Sequence, residues 1–392
     1  MDFTPTDEQR QLVEMVRSFV QKEIVPLETE LPPDAGRLPE HVAAPLRRKV
    51  EQMGLECWDA PSEVGGPGLD VITQTLLAIE MSQHRAGLYT PCYGLFGGGG
   101  LANLYDADED QKKRYLYPTM RGERRGFFAL SEPSGGSDPA RAIRTKAVRD
   151  GDDWIINGSK MWISGVVDAD YGIVVARTGE GRGGLTQFIV DKDTPGLTMT
   201  RVIPSLRRVE EPTELEFDNV RVPDANRLGE EGKGFANAAG RLVKVRIPYS
   251  AQCVGVAIAA HRLAVDYAKI RETFGRKLAQ QQGIQWMLVD NEVDIDTARL
   301  LVLQAAQLAD AGKNVKREAA MAKLYCTEAA SRVIDRSMQI HGGLGVAAEM
   351  PFERWYREMR IRRIGEGPNE VQRLVIAREL LGGAASIRGE KK

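Results

Sequence analysis

The sequence predicts a multi-domain α+β fold, in which a helical N-terminal domain, an antiparallel β middle domain and a C-terminal helical bundle follow one another. At 392 residues the chain exceeds the size at which one hydrophobic core stops growing. Its apolar residues recur with a helical period at both ends and with a period of two between them. These observations predict three domains, with limits at residues 1–125, 126–233 and 234–392.

The first domain has helical spacing of apolar residues. One period runs through Leu12, Met15, Phe19 and Ile24, and a second runs from Val71 to Met81 after a glycine-rich turn. The run Gly97 to Gly100 interrupts the pattern, because each glycine weakens a helix by about 1 kcal/mol relative to alanine. This run predicts either a loop or tight helix contact, or a widened ligand pocket.

The middle domain alternates apolar and polar residues in short runs separated by turn signals. The signals are Asp150-Gly151, Asn157-Gly158 and Pro195-Gly196. The strand-like runs are FFALSE, RTKAV, WIIN, MWIS, YGIVVA, TQFIV, LTMTRV and TELEF. Strands this short and this closely spaced predict an antiparallel barrel or sandwich rather than a parallel sheet.

The last domain returns to long helical periods. One apolar face runs from Ile284 to Ala305, and another runs from Ala319 to Ile340 and stops at Gly342-Gly343. Long helices with short connections are typical of a bundle.

Composition and charge exclude several classes of protein. The formal net charge of -2 lacks the basic excess of a nucleic-acid-binding protein. No stretch has the length and apolar character of a membrane span, and the first residues resemble neither a secretory signal nor a transit peptide. The four cysteines form no CxxC pair and the four histidines are scattered, so we expect no disulfide framework and no metal site. We therefore expect a cytoplasmic protein.

Glu366 is the first candidate for chemistry. It lies between Gly365 and Gly367, and Pro368 then precedes an apolar helical run. The glycines leave no Cβ beside the carboxylate, so a flat ligand can approach the backbone. One interpretation is a catalytic base, and the other is an acidic residue stabilised by the positive end of the helix.

Other motifs indicate a flat cofactor with phosphates. GLGVAA, from Gly343, is close to a dinucleotide fingerprint, but a helix precedes it where that motif needs a strand, so we reject a Rossmann site. ALSEPSGGSD (129–138) and SKMWISG (159–165) supply hydroxyls, free N–H groups and an indole face. IRETFGR (270–276) supplies two guanidinium groups suited to a pyrophosphate, although it is also compatible with a solvated helix end.

These motifs together resemble the acyl-CoA dehydrogenases, which are flavoproteins with a helical N-terminal domain, a β middle domain and a C-terminal four-helix bundle. ALSEPSGGSD, NGSKMWISG, FDNVRVP…LGEEGKGF, YAKIRETFGR, QIHGGLG and GEGPNEVQR stand in the family's order and spacing over nearly the whole chain. The resemblance implies that FAD is the cofactor and that an acyl-CoA thioester is dehydrogenated to the trans-2-enoyl-CoA.

The resemblance also implies roles for individual residues. Around the flavin it places Phe128, Leu130, Ser131, Trp162 and Ser164, while Ser137 reaches the pyrophosphate or the pantetheine of the thioester. It places the adenine half of a neighbouring subunit's FAD on Arg271, Thr273, Phe274, Gln282, Gln339, Gly342 and Gly343, and the adenosine end on Pro368 and Glu370. A cofactor shared between chains implies a homotetramer, a dimer of dimers.

Glu366 matches the family's base, which removes the α proton while a hydride leaves the β carbon for flavin N5. Some relatives carry the base just before Arg246, but Val245 occupies that position and cannot accept a proton. Arg246, Gly365 and Gly367 are the expected substrate contacts. Val243 replaces an acid that helps to hold the CoA in many relatives.

Two features predict a pocket wider than a short straight acyl chain needs: the glycine at 365, where an aromatic residue is common, and the run Gly97 to Gly100. An electron-transfer flavoprotein is the expected acceptor. The alternatives are an oxidase or flavin monooxygenase of the same fold that uses oxygen, and a flavin-free scaffold.

Overall fold

The computed structural model describes residues 3–97, 102–181 and 183–382, with the backbone alone over 235–244. The chain divides into two compact units. We call Met1–Met53, Leu69–Leu95 and Val243–Lys392 the helical unit, and Gly54–Gly68 with Phe96–Leu242 the sheet unit. The limits of the three domains given above stay a prediction.

The secondary structure follows the predicted order of helices, strands and helices. The helices are α1 Asp7–Phe19, α2 Glu40–Gln52, α3 Val71–Met81, α4 Glu109–Gln111, α5 Tyr117–Met120, α6 Pro139–Ala142, α7 Gly234–Ile270, α8 Gln282–Asp310, α9 Lys316–His341, α10 Phe352–Arg362 and α11 Asn369–Leu381. The strands are β1 Gly126–Ala129, β2 Lys146–Asp150, β3 Asp153–Ile163, β4 Tyr171–Arg177, β5 Leu185–Asp191, β6 Leu197–Val202, β7 Thr213–Pro223, β8 Arg227–Leu228, β9 Glu272–Thr273 and β10 Arg276–Lys277. The α, β, α order is confirmed.

The helices of the helical unit pack along the faces that their apolar periods mark. On α8 the buried residues include Ile295, Ala298 and Val302, as the period predicts, and α9 packs along α8. The carboxylate of Asp310 accepts hydrogen bonds from the first two N–H groups of α3, at 2.8 and 2.9 Å. Because those donors have no partner inside the helix, this contact both caps α3 and fixes it against the end of α8.

The sheet unit contains one sheet of eight strands, in the order β6-β7-β3-β2-β4-β5-β8, with β1 paired to β4. Most neighbours are antiparallel, as predicted, but β4 pairs in parallel with β1 and, at one position, with β2. The sheet is therefore mixed. Residues of β4 and β5 are buried on both sides: Val174 and Phe188 belong to one apolar cluster, and Ile173 and Ile189 to another. Burial on both faces explains why these strands are continuously apolar.

WIIN and MWIS, predicted as separate strands, form the single strand β3. Asn157-Gly158 does not turn the chain; the pairing of β3 with β7 shifts between Ile156 and Gly158 instead. Gly158 has φ +144°, and a Cβ there would lie 2.6 Å from Cα of Thr145. The glycine is thus needed for a bulge and a close backbone approach, which its sequence does not distinguish from a turn.

Among the described residues, no helix combines the length and apolar character needed to cross a membrane.

Candidate active site

Glu366 lies in the connection between α10 and α11, which we call the Glu366 turn (residues 363–368). The side chain is exposed, and the residue has φ +54°, in the left-handed region that side-chain-bearing residues rarely adopt. Gly367 follows with φ +85°. Two successive left-handed residues reverse the chain sharply, so that the carboxylate stands at the tip of the turn.

Side chains from three helices hold the carbonyls at the tip of this turn, one of them Lys323 of α9, which donates to the carbonyl of Gly367 at 3.0 Å. Arg246 of α7 donates from Nε to the carbonyl of Glu366 at 3.1 Å. Gln372 of α11 donates from Nε2 to the carbonyl of Gly367 at 2.9 Å, while its buried Oε1 has no partner among the described residues. Burial lowers the pKa of the Arg246 guanidinium, and the nearby Glu366 carboxylate opposes that shift. Arg246 is therefore close to both the backbone and the charge of Glu366.

A buried cation lies immediately before the turn. The guanidinium carbon of Arg362 is 3.8 Å from the ring centre of Tyr249 and 4.9 Å from that of Tyr89. Arg362 also donates to the carbonyl of Tyr249 at 3.1 Å and to Oε1 of Gln252 at 2.7 Å. Burial raises the pKa of the Tyr249 hydroxyl well above its ordinary value, so Tyr249 is a neutral wall of the site.

The space beside Gly365 is already occupied. A Cβ on Gly365 would lie 3.2 Å from the Tyr249 hydroxyl oxygen. The missing side chain at 365 therefore leaves no open volume on this side, contrary to the volume argument made from the sequence. Gly98–Gly100 and the side chain of Val243, on which the other substrate predictions rest, lie outside the described residues.

In the sheet unit, the structure brings the two cofactor motifs together. Met161 N donates to the carbonyl of Ser131 at 2.9 Å, which joins SKMWISG to ALSEPSGGSD. Trp162 has φ +67° and 56% of its surface exposed. Trp162 thus has a left-handed backbone within β3, and its exposed indole is available for stacking.

A buried ion pair fixes the same junction. Lys160 Nζ lies 2.8 Å from a carboxylate oxygen of Glu132 and 3.1 Å from the carbonyl of Leu130. The Glu132 carboxylate also accepts from the N–H groups of Arg144 and Thr145, at 2.7 and 3.0 Å. Every charge in this junction is hydrogen-bonded, as burial requires.

The remaining sheet-unit candidates differ in their surroundings. Ser164 Oγ accepts a hydrogen bond from Nη1 of the buried Arg207 at 3.2 Å, which orients the hydroxyl. Phe128 and Leu130 are half-buried at the end of β1, whereas Ser137 is exposed.

The predicted nucleotide-binding residues gather at one end of the bundle. Arg271 is exposed, and the β9–β10 hairpin carries Thr273 and Phe274, the latter 98% exposed. Tyr267 of α7 stacks on His341 of α9 at 4.4 Å, so the hairpin and the exposed glycines after α9 lie at the same end. The other candidates nearby, Gln282, Gln339, Gly342 and Gly343, are also exposed.

This end is remote from the Glu366 turn. Lys323 of α9 touches the turn, and His341 comes eighteen residues later on the same helix, about 27 Å at 1.5 Å per residue. Pro368 and Glu370, by contrast, directly follow Glu366. One chain therefore does not bring its own hairpin and glycines to its own candidate base.

Comparison with known proteins identifies the family. Residues 6–123, 127–220 and 232–381 match the family models described as the N-terminal, middle and C-terminal domains of acyl-CoA dehydrogenase. The chain is 39% identical over 383 residues to an acyl-CoA dehydrogenase of Bacillus subtilis, which covers 96% of this chain and 99% of that one. The chain belongs to the acyl-CoA dehydrogenase family. The resemblance and the fold class predicted from the sequence are both confirmed.

Solved structures agree with this assignment. The butyryl-CoA dehydrogenase of Megasphaera elsdenii is 34% identical with a TM-score of 0.85, over 97% of this chain and 100% of that one. A solved structure described as the electron transferring flavoprotein of Acidaminococcus fermentans is 35% identical, also with a TM-score of 0.85, over 97% of this chain and 100% of that one. This acyl-CoA dehydrogenase is an oxidoreductase, and its cofactor is FAD.

The exposed groups described above fit FAD. Trp162 presents a flat face, Arg271 presents a guanidinium, and Gly342 and Gly343 present backbone with no atom within 4 Å of a Cβ on either residue. A ring system, a pyrophosphate and a nucleotide edge need these three kinds of surface.

Sequence reasoning missed several residues of the site. Gln372 lies within the motif GEGPNEVQR but was given no role, and Lys323 and Tyr249 lie in no motif; each contacts the Glu366 turn from a distant or following helix. A single lysine within the otherwise apolar stretch AAMAKLYC is the signal that could have pointed to Lys323.

Proposed function

We propose that this acyl-CoA dehydrogenase oxidises the Cα–Cβ bond of an acyl-CoA to the trans-2-enoyl-CoA, with Glu366 as the base that removes the α proton. The observation that carries this proposal is the position of Glu366, an exposed carboxylate at the tip of a turn whose carbonyls are fixed by Arg246 and Gln372. A base must be accessible and held in one direction. The turn meets both requirements.

The chain's own groups supply the proton transfer. The Glu366 carboxylate accepts the α proton, and displacement of water when the thioester binds destabilises the charged carboxylate and so strengthens it as a base. Within the part of the chain that the structure describes, the Glu366 N–H makes no hydrogen bond. It is therefore available to donate to the thioester oxygen and stabilise the developing enolate. FAD, when bound, supplies the acceptor for the β hydrogen and its electron pair.

The following residues would contact FAD. Trp162, Ser164, Phe128, Leu130 and Ser131 would contact the ring system, and Ser137 the pyrophosphate or pantetheine. We assign the adenine half of a second subunit's FAD to Arg271, Thr273, Phe274, Gln282, Gln339, Gly342 and Gly343. Pro368 and Glu370, which follow Glu366, would contact the adenosine end of a different FAD molecule from the one at the hairpin. The distance along α9 between the Glu366 turn and the hairpin supports sharing of FAD between subunits.

An apolar stripe on α8 supports a homo-oligomer. Trp286, Val289, Val293 and Leu300 are each more than half exposed and follow helical spacing along one face. We propose that a second copy covers this face in a homotetramer. Light scattering should give a tetramer for the wild type and a smaller species for Trp286→Asp, because the substitution places a carboxylate in the contact. A tetramer of unchanged stability in Trp286→Asp would contradict this.

We propose a short acyl chain as the substrate and an electron-transfer flavoprotein as the acceptor. Tyr249 fills the space beside Gly365, and the solved relative from Megasphaera elsdenii is named for butyryl-CoA. An electron-transfer flavoprotein is the acceptor that the family resemblance implies. Rapid formation of peroxide in air would favour the oxidase alternative instead.

The experiment is anaerobic titration of the FAD-loaded protein with butyryl-CoA and palmitoyl-CoA, followed by bleaching of the flavin. Wild type should bleach, and faster with butyryl-CoA. Glu366→Gln should keep its FAD and bleach at least about 100-fold more slowly, the loss expected for removal of a general base. The matched control Glu379→Gln, an exposed position on α11, should behave as wild type. Equal bleaching by Glu366→Gln would overturn the assignment of the base.

A further inference from the structure

Lys323 is a buried cation whose contacts all lead to the Glu366 turn. It lies on α9 and is fully buried. Its ammonium group donates to the carbonyl of Gly367 at 3.0 Å, to Oδ1 of Asn369 at 2.8 Å and, at 3.4 Å, to the carbonyl of Arg363. These acceptors lie on both sides of Glu366. The ammonium therefore ties the two ends of the turn together.

The position is energetically unfavourable for a lysine. Burial lowers the pKa of Lys323 to about 8, although the nearby Glu366 carboxylate opposes that shift, and no carboxylate of the described residues forms an ion pair with Lys323. Taking an ammonium out of water costs several kcal/mol, which neutral acceptors only partly offset. A methionine of similar length would fill the same space without that cost.

The acceptors are themselves held in place. Asn369 exchanges hydrogen bonds with Thr327 Oγ1 and donates to Glu328 Oε1 at 2.9 Å. Glu328 also pairs with Arg363 at 3.0 Å. One stretch of α9 thus contacts both Arg363, which begins the turn, and Asn369, which begins α11.

The backbone of Glu366 needs such support. Its left-handed conformation is strained for a residue with a side chain and persists only when the surroundings impose it. Of the groups that hold the turn, Arg246 comes from α7 and Gln372 from α11 itself. Lys323 and Glu328 anchor the turn to α9, and of these two only Lys323 contacts Gly367, next to Glu366.

We propose that Lys323 is a positioning residue for the reaction: its ammonium group clamps the carbonyls of Arg363 and Gly367 and thereby directs the Glu366 carboxylate at the α carbon. This inference rests on the proposed role of Glu366 as base. It predicts that removing the ammonium lowers kcat with little change in KM and with the cofactor in place, because the clamp holds the turn that carries the base, whereas the side chain of Arg246, an expected substrate contact, is not among its hydrogen-bond partners.

The test compares Lys323→Met with Lys316→Met, an exposed lysine at the start of the same helix. Lys323→Met should keep its FAD absorbance, keep KM for butyryl-CoA within about twofold, and lower kcat at least about tenfold, since misplacement of a reacting group by about 1 Å costs up to 100-fold. Hydrogen–deuterium exchange of the peptide over residues 363–370 should accelerate at least about tenfold in Lys323→Met and stay unchanged in Lys316→Met.

A double variant separates positioning from general damage. If Lys323 acts through Glu366, adding Lys323→Met to Glu366→Gln should slow the residual bleaching by less than about twofold. Wild-type kcat and exchange in Lys323→Met, or an equal loss of rate in both backgrounds, would overturn the inference. Full activity of Glu366→Gln would instead overturn the proposed function.

The neutral donor Lys323→Gln covers the case in which Lys323→Met does not fold. It should fold and show a smaller loss of kcat, because an amide can still serve two of the three acceptors. If neither variant folds with FAD, Lys323 is required for the fold itself and the positioning role is rejected.

Discussion

The buried pair of Lys160 and Glu132 gives a direct test of how the cofactor motifs are joined. Lys160→Met removes the ammonium and leaves the Glu132 carboxylate buried. Breaking a buried pair in this way costs about 3–5 kcal/mol. Glu132 keeps the N–H groups of Arg144 and Thr145, so we expect a loss near the lower limit, about 3 kcal/mol.

Urea unfolding of the FAD-loaded protein, followed by circular dichroism, measures the loss. The exposed Lys146→Met serves as the matched control and should change stability by less than about 0.5 kcal/mol. The double variant Lys160→Met with Glu132→Gln should be more stable than Lys160→Met alone, because no charge is then left unpaired. A loss below about 1 kcal/mol for Lys160→Met, or a double variant less stable than the single one, would refute this reasoning.

Two further predictions concern the helical unit. Burial, with a smaller effect of Arg354, lowers the pKa of His84 to about 3. Below pH 6.5, the ordinary pKa of histidine, the unfolded chain binds a proton at His84 that the folded chain does not, so His84 should reduce the free energy of unfolding by about 2 kcal/mol at pH 5. Between pH 7 and pH 5, urea unfolding should therefore show a smaller loss of stability in His84→Gln than in wild type. Equal losses in the two proteins would contradict this. Gly365→Ala places a methyl group against the Tyr249 hydroxyl and should lower kcat several-fold. The double variant Gly365→Ala with Tyr249→Phe should recover part of the lost kcat. If steady-state kinetics show no recovery, the two positions do not touch.

The periodic features of the fold were predictable from the sequence. The spacing of apolar residues predicts the buried face of α8 from Ile284 to Ala305 and the α, β, α order, and a helix-ending glycine predicts the end of α9 at Gly342. Glu366 was also predictable as a candidate, because the glycines that expose it are its direct neighbours in the sequence. Its left-handed φ was not, since nothing in GEGP requires it.

Long-range pairings could not be predicted. Lys160 and Glu132 are charged residues, which sequence patterns predict to be exposed. Both are nevertheless buried, because they form an ion pair with each other. Tyr249 meets Gly365, and Lys323 meets Gly367, through packing of helices that are distant in sequence. The bulge at Gly158 was interpreted as a turn because both structures select glycine for the same backbone freedom.

The most direct test of the central claim is deuterium uptake at the α carbon. FAD-loaded protein is incubated anaerobically in D₂O with excess butyryl-CoA, and the remaining thioester is analysed by mass spectrometry. If Glu366 removes and returns the α proton, wild type should incorporate deuterium and Glu366→Gln should do so at least about 100-fold more slowly. Uptake at the wild-type rate in Glu366→Gln would show that another group is the base.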